Sequence, residues 1–172
     1  ANKGVYNAPM MVTKIEDKYG NVLANFYPES REVITENTAF LMANLLQGVV
    51  DEGTGRRLRF RYGFKNQIGG KTGTTQNHSD GWFIGITPDL AGGVWVGAED
   101  RSIHFQNLAN GQGASMALPI WALFMQKVYA DKSLAVPQSD FQKPNGVNHV
   151  LDCGDADREG MTDYDSSDEI FD

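Results

Sequence analysis

The sequence is poor in cysteine, in positive charge and in long apolar segments. Its 172 residues include one cysteine, Cys153, which excludes an internal disulfide. Lys and Arg number 15 against 22 Asp and Glu, giving a net charge of −7. This balance argues against nucleic-acid binding, because phosphate neutralisation requires a basic surface. No apolar run approaches the roughly 18–20 residues that span a bilayer, so the sequence itself predicts no membrane-spanning helix.

Turn residues and hydrophobic periodicity indicate short strands and two helices. Residues 10–16 and 21–27 flank a four-residue turn and predict a β-hairpin. Thr35 is placed to cap a helix that runs to about Asp51, whose apolar side chains recur at helical spacing.

Three strands are predicted downstream, at residues 67–74, 81–87 and 92–98. They lie too close together for helical crossovers, so we expect antiparallel neighbours. A second helix is predicted over residues 115–130, where Pro119 is tolerable because it falls near the first turn. The order of hairpin, helix, three strands and helix predicts an α+β fold, with helices packed on an antiparallel sheet.

The end of the chain has a different composition. Residues 134–172 lose the hydrophobic periodicity and become acidic, which predicts a disordered or loosely docked tail. A calcium-loop pattern starting at Asp155 has Ser166 at its twelfth position, where such a site needs a bidentate Glu. His104 and His149 show no metal-like spacing to each other or to the cysteine. We therefore predict no metal site and no cofactor.

Residues 71–75 read Lys-Thr-Gly-Thr-Thr and belong to the first of the three predicted strands. On an exposed sheet edge, such a strand can pair with an extended peptide by strand addition. Lys71 would attract a terminal carboxylate, to which Thr72 and Thr74 can donate hydroxyl hydrogen bonds. Gly73 leaves room for close approach, and the Thr74 backbone N–H can serve as half of an oxyanion hole. We predict Lys71 and Thr74 as catalytic, and residues 72–75, including the adjacent Thr75, as substrate-binding.

The Lys-Thr-Gly motif (residues 71–73) is one of three signatures of the active-site-serine acyltransferases. The other two are S-x-x-K and S-x-N. No serine of the sequence is followed by Lys three positions on or by Asn two positions on. The chain therefore carries one wall of such an active site and lacks the nucleophile.

Other blocks surround this motif in a fixed order. They are ANKGVY (1–6), GVVDEGTG (48–55), GKTGTT (70–75), DGWFIG (80–85), VWVG (94–97) and PIW (119–121). In these blocks the sequence resembles the C-terminal part of the transpeptidase domain of class A penicillin-binding proteins, the bifunctional cell-wall synthases. The resemblance implies a partial penicillin-binding/β-lactamase-like transpeptidase fold, which we assign to residues 1–133.

The resemblance also implies acyl transfer on peptidoglycan stem peptides. A serine attacks the D-Ala-D-Ala bond, releases D-Ala and passes the acyl group to an amine of a neighbouring stem, and β-lactams imitate the dipeptide. Lys71, Thr72 and Thr74 match the carboxylate-recognition strand of the family, and Gly73 matches its close-approach glycine.

In the family the serine, its lysine and the S-x-N residues precede the segment where this chain starts. We therefore expect a truncated part of a bacterial envelope protein, exposed outside the cytoplasmic membrane. Its partners would be stem peptides, β-lactams and the missing N-terminal part, which would carry any membrane anchor. The chain alone is expected to be inactive.

Two other functions remain open. A related serine D,D-carboxypeptidase or β-lactamase-type hydrolase would transfer the acyl group to water. A non-catalytic module would only hold peptide carboxylates on the Lys71 strand.

Several residues have simple structural interpretations. We interpret Asp80 as a turn-capping acid, His78 as an exposed loop residue and the arginines of residues 56–61 as a solvated strand or loop face. Four aromatic residues are interpreted as core rather than as a sugar-stacking platform: Trp82, Phe83, Trp95 and Trp121.

Overall fold

The structure is a computed structural model that describes residues 1–147. Cys153, His149, the calcium-loop pattern and the most acidic part of the tail lie outside the described residues. Within residues 1–147, no helix combines the length and the hydropathy that crossing a membrane requires.

Two small antiparallel ladders form the N-terminal region. Strand β2 (Lys14–Glu16) pairs with β3 (Val22–Asn25), which confirms the predicted hairpin. The Asp17 carboxylate accepts the backbone N–H of Tyr19 at 2.8 Å and of Asn21 at 2.9 Å, which closes the turn. Outside this hairpin, β1 (Val5–Asn7) pairs with β4 (Ser30–Glu32), a contact that the local sequence does not indicate.

Helix α1 (Glu36–Asp51) begins where the sequence predicts it. The Thr35 Oγ1 accepts the backbone N–H of Thr38 at 3.2 Å, which satisfies one of the free donors of the first turn. The predicted cap and helix are confirmed.

The basic segment that follows α1 is not a strand or loop, although Arg56 and Arg61 are exposed as predicted. It forms a short helix, α2 (Arg57–Phe60). Arg57 Nη1 donates at 2.9 Å to both Ala114 O and Ser115 Oγ. Arg59 pairs with Asp51 and donates to backbone carbonyls of residues 64 and 66. Two of the arginines therefore fix neighbouring elements, because a guanidinium offers several donors in a rigid fork.

The three predicted strands form one antiparallel sheet in the order β5-β6-β7. Their bounds are β5 (Gly69–Thr74), β6 (Asp80–Ile86) and β7 (Ala91–Gly97). Lys71 lies opposite Ile84, Gly73 opposite Trp82, and Trp82 opposite Trp95. Because directly opposed residues point to the same face of a sheet, all five positions share one face. Phe83 points to the other face.

A long helix covers the Phe83 face. After the short α3 (Leu108–Gly111), helix α4 (Gly113–Ala130) packs on β6 and β7. Trp121 is buried, with its ring centroid 5.4 Å from that of Phe83, and a Cβ at Gly85 would overlap its ring. Pro119 lies in the second turn of α4, and not near the first turn as predicted, because the helix begins two residues earlier.

The opposite face of the sheet is only partly covered. Helix α1 packs at its Gly69 end, where a Cβ would lie 3.0 Å from Leu46 Cβ. Trp82 is 45% exposed and Trp95 is 47% exposed, with ring centroids 6.4 Å apart. The prediction of a core position is confirmed for Phe83 and Trp121 and is wrong for these two tryptophans. Periodicity placed their side chains correctly in alternation, but no element among residues 1–147 covers them.

The segment after α4 lies against the body of the protein as far as it is described. Ser139 Oγ contacts Asp89 Oδ1 at 3.3 Å. The Phe141 N–H donates to Gln67 Oε1 at 2.8 Å. The proposed boundary between residues 133 and 134 stays a prediction.

We predict that Leu118→Ala destabilises the chain by about 2–5 kcal/mol, because Leu118 is fully buried under the sheet and its removal leaves a cavity. Leu123→Ala on the same helix is the matched control. Leu123 is 54% exposed, so its replacement should change the free energy of unfolding by no more than about 0.5 kcal/mol. Urea denaturation of both variants measures the difference, and equal effects would contradict the assignment of the two faces of α4.

Candidate functional site

The five motif residues lie at the edge of the sheet. The first four occupy β5, and within residues 1–147 that strand has a neighbour only on its β6 side. Lys71 is exposed, and its Nζ donates to the carbonyl oxygen of Thr72 at 2.8 Å. The ammonium therefore stays in solvent at the rim of the sheet, where it can interact with an anionic ligand.

The register of β5 decides which backbone groups face outward. The Thr75 N–H donates to the carbonyl of Asp80 at 3.1 Å. Because antiparallel residues alternate between hydrogen-bonded and non-hydrogen-bonded pairs, Gly73 and Lys71 direct their backbone groups toward β6. Thr72 and Thr74 direct theirs away from β6, toward the open edge. A peptide extended along that edge would meet the N–H and C=O groups of these two threonines.

The hydroxyl of Thr74 is oriented by the first residue of α4. The Gly113 N–H donates to Thr74 Oγ1 at 3.0 Å. A hydroxyl has one donor and two acceptor positions, so accepting this bond leaves the Thr74 hydrogen free to donate to a ligand. Gly113 has to be a glycine, since a Cβ there would overlap the carbonyl oxygens of Gly73 and Trp82.

A second hydroxyl of the site contacts the loop that follows α1. Thr72 Oγ1 and Thr54 Oγ1 are 2.8 Å apart, and either can be the donor. The sequence alone indicates no role for Thr54 or Gly113. Thr54 belongs to the GVVDEGTG block, which was the available signal, but these contacts join residues 18 and 39 positions apart.

Gly73 lies beneath an aromatic side chain. A Cβ at this position would lie 3.2 Å from Trp82 Cβ, which is tighter than ordinary van der Waals contact. Packing against Trp82 therefore favours a glycine at position 73. Its role in the close approach of a ligand stays a prediction.

The motif runs into a tight turn, residues 75–80. Thr75 Oγ1 lies 3.0 Å from both Ser79 Oγ and Asp80 Oδ2 and accepts the Asp80 N–H at 2.9 Å. Asn77 and His78 both have left-handed backbone conformations, with φ of 65° and 55°. The Thr75 hydroxyl is thus engaged inside the turn, whereas those of Thr72 and Thr74 lie at the edge strand. Its assignment as substrate-binding stays a prediction.

The Asp80 carboxylate accepts hydrogen bonds from the polar side chains of this turn. It accepts hydrogen bonds from Ser79 Oγ at 2.9 Å and from Trp95 Nε1 at 3.2 Å, besides that of Thr75. The hydrogen bond from Ser79, with those from Thr75 and Trp95, lowers the pKa of Asp80 below 3.8, although desolvation acts in the opposite direction. The Arg101 guanidinium, 3.9 Å away and largely exposed, adds a weak attraction. The interpretation of Asp80 as a turn-capping acid agrees with these contacts.

His78 is not the exposed loop residue that the sequence suggested. It is half-buried, and a Cβ at Gly111 would overlap its side chain. Within residues 1–147, its Nδ1 is buried and has no hydrogen-bond partner. In the same range, no three side chains of His, Cys, Asp or Glu lie together as a metal site would require.

Comparisons with known proteins give the family of this fold and site. Residues 1–115 match the family model described as "Penicillin binding protein transpeptidase domain". Penicillin-binding protein 1A of Aquifex aeolicus (strain VF5) is 35% identical over 144 residues, which is 84% of this chain and 18% of that protein. The protein of the same name from Clostridium novyi (strain NT) is 31% identical over 85% of this chain and 16% of its own length.

A solved structure has the same fold. The crystal structure of penicillin-binding protein 1A from Haemophilus influenzae superposes with a TM-score of 0.70, at 24% identity, over 84% of this chain and 26% of that chain. The chain belongs to the family of penicillin-binding protein transpeptidase domains, and it spans less than a fifth of the length of the two relatives named above. The α+β fold and the resemblance to class A penicillin-binding proteins are confirmed.

Asp80 should make the stability of the chain depend on pH in the acid range. The hydrogen bond from Ser79 lowers the pKa of the Asp80 carboxyl in the folded state from its ordinary value. The stability that Asp80 contributes is therefore complete above that ordinary value and is lost as pH falls through the folded pKa. We expect Asp80→Asn to lower the thermal midpoint at pH 6, and the difference from the unmodified chain to shrink below pH 3.8. Thermal melts from pH 6 to 2.5 test this, and a constant difference would contradict it.

Proposed function

We propose that this chain supplies the carboxylate-binding side of a peptidoglycan D,D-transpeptidase active site. One observation carries the proposal: Lys71 and the outward N–H and C=O groups of Thr72 and Thr74 share the open edge of β5. That edge offers a fixed positive charge and backbone groups for strand addition at one location, which suits the charged end of an extended peptide. Membership of the transpeptidase family supports the same conclusion.

In this proposal the substrate is a stem peptide that ends in D-Ala-D-Ala. Its terminal carboxylate accepts hydrogen bonds from the hydroxyls of Thr72 and Thr74, and Lys71 stabilises its negative charge. The Thr74 N–H points at the carbonyl of the bond to be broken, where negative charge develops as the bond is attacked. The Gly113 N–H helps by holding the Thr74 hydroxyl in its donating orientation.

The reaction would proceed by two acyl transfers. A serine hydroxyl attacks the carbonyl carbon of the penultimate D-Ala, loses its proton to a neighbouring base, and forms an ester as the C–N bond breaks. The terminal D-Ala leaves with a proton on its amine. An amine of a second stem peptide then attacks the ester, forms the cross-linking amide and returns the serine hydroxyl. A β-lactam would acylate the same serine.

The nucleophile would come from polypeptide outside this chain. Ser79 is buried and donates its hydroxyl hydrogen bond to Asp80. Ser115 lies in α4 and accepts from Arg57. The exposed sheet face formed by Trp82, Ile84 and Trp95 is an apolar surface of the kind that marks an interface. We propose that the upstream part of the same protein covers it and presents the serine to the β5 edge.

The cellular setting follows from the substrate. Peptidoglycan lies outside the cytoplasmic membrane, so the whole protein would work in the bacterial envelope. Its anchor would belong to the upstream part of the polypeptide.

Lys71→Ala in the full-length protein should reduce the second-order rate constant of acylation by a fluorescent penicillin by about 100-fold or more. The reason is the loss of a charge that favours both carboxylate binding and the developing negative charge. Stopped-flow or gel-based labelling measures the rate.

Lys65→Ala is the matched control for this variant. Lys65 is also exposed and precedes β5, so its replacement should leave the rate within about twofold, as expected of a surface position. Equal rates for Lys71→Ala and the unmodified protein would refute the role of Lys71.

The 172-residue chain alone should not be labelled covalently by fluorescent penicillin, since it lacks the nucleophile. Mass spectrometry after incubation at saturating penicillin checks this, and a penicilloyl adduct would refute the division of the active site. Calorimetric titration of the chain with an acyl-D-Ala-D-Ala peptide tests whether the chain is instead a non-catalytic module that binds peptide carboxylates. Clear binding without the upstream part would favour a peptide-binding module.

A further inference from the structure

One carboxylate of β6 contacts both β7 and the residue that follows β5, at the end of the sheet where the motif lies. Asp80 is the first residue of β6, and it is 8% exposed. Its Oδ2 accepts hydrogen bonds from Ser79 and from Thr75, the residue that follows β5. Its Oδ1 accepts the indole N–H of Trp95, which lies in β7.

The same residue is tied to Thr75 through the backbone. The Thr75 N–H donates to Asp80 O at 3.1 Å, and the Asp80 N–H donates to Thr75 Oγ1 at 2.9 Å. Together with the side-chain bond to Oδ2, three hydrogen bonds join these two residues. Thr75 therefore has little freedom to move, and the planar peptide that it shares with Thr74 holds the Cα and carbonyl of Thr74. The preceding peptide, which carries the Thr74 N–H, is held by the pairing of Gly73 with Trp82 in the β5–β6 ladder.

We propose that Asp80 is a positioning residue for the acyl transfer. Its carboxylate does not reach the substrate but fixes the Thr74 end of β5, so that the Thr74 N–H stays aimed at the bound carbonyl. This inference rests on the proposed function, since it assigns Asp80 a part in the same reaction. Three donors bind to the carboxylate, whose two oxygens can only accept hydrogen bonds. An amide of the same shape would turn an NH₂ group toward at least one of them.

The alternative is that Asp80 only stabilises the turn. The two cases differ in what a variant does to the reaction. A positioning residue affects the geometry of the reacting state, so its loss lowers the acylation rate constant. Ground-state binding of penicillin stays nearly unchanged, because the Thr74 hydroxyl is held separately by the Gly113 N–H. A purely stabilising residue lowers the melting temperature and leaves both constants of the folded protein unchanged.

The test uses the full-length protein and measures the dissociation constant and the acylation rate constant for a fluorescent penicillin separately. We expect Asp80→Asn to lower the acylation rate constant by about 10- to 100-fold, the range for a misplaced reacting group or oxyanion donor. The dissociation constant should stay within about twofold. Trp95→Phe removes one of the donors and keeps the aromatic ring, so it should give a smaller fall in the same direction.

The matched control is Asp131→Asn. Asp131 follows α4 and also caps a turn, accepting from Ser133 N at 2.9 Å and Ser133 Oγ at 2.6 Å, with a lowered pKa caused by those bonds. It lies at the far end of an 18-residue helix, about 27 Å from Gly113 along the axis. Its replacement should leave both constants unchanged.

Distinct outcomes overturn the inference. An unchanged acylation rate constant in Asp80→Asn, or a fall of equal size in Asp131→Asn, rejects a positioning role. If Asp80→Asn does not fold, Trp95→Phe decides, and an unchanged rate constant there rejects the role. If the unmodified full-length protein is not acylated at all, the proposed function fails and this inference fails with it. That result is distinguishable, because it appears without any substitution.

Discussion

The first turn of α4 lies directly on the backbone of β5 and β6, and the geometry of the site follows from this contact. Gly113 approaches the carbonyl oxygens of Gly73 and Trp82 so closely that no side chain fits. From this position its N–H reaches the Thr74 hydroxyl. The burial of Trp121 and Leu118 holds α4 on the sheet. Because α4 is held there, its first residue fixes the orientation of the Thr74 hydroxyl at the edge strand.

The two faces of the sheet differ in how completely they are covered. The Phe83 face is filled by α4 and gives the chain its core. The Lys71 face carries Trp82, Ile84 and Trp95, which remain in contact with solvent among the described residues. In this arrangement the strand that carries the Lys-Thr-Gly motif borders one face that α4 covers and one face that is only partly covered among residues 1–147. The proposed function accounts for the incomplete side by assigning it to polypeptide that this chain does not contain.

Most of the local structure could be predicted from the sequence, because local signals determine it. Thr35 caps α1 through its own side chain, the turn at Asp17 closes the hairpin, and short connections make the three strands antiparallel. The rest of the structure depends on contacts between residues that are far apart in the sequence. Alternation placed Trp82 and Phe83 on opposite faces, but which face α4 covers depends on long-range packing.

The candidate site shows the same limit. The motif itself could be found in the sequence, since Lys71 to Thr75 are adjacent. Thr54 and Gly113 could not be found, because only the folded chain brings the α1–α2 loop and the start of α4 to β5. The contacts of Arg57 and Arg59 could not be predicted for a related reason. A charge run usually faces solvent, and only the fold reveals the carbonyl groups that accept these guanidinium hydrogen bonds.

The backbone of the 75–80 turn has a consequence for how the site responds to a ligand. Asn77 and His78 both adopt left-handed conformations, which cost non-glycine residues energy that the surrounding bonds must offset. These bonds include the contact between the Phe105 N–H and His78 O at 3.3 Å. The conformational cost is thus met during folding, before any peptide arrives. In the proposed function, a peptide that reaches β5 would find the donors already in place, and little reorganisation would oppose the build-up of charge on its carbonyl.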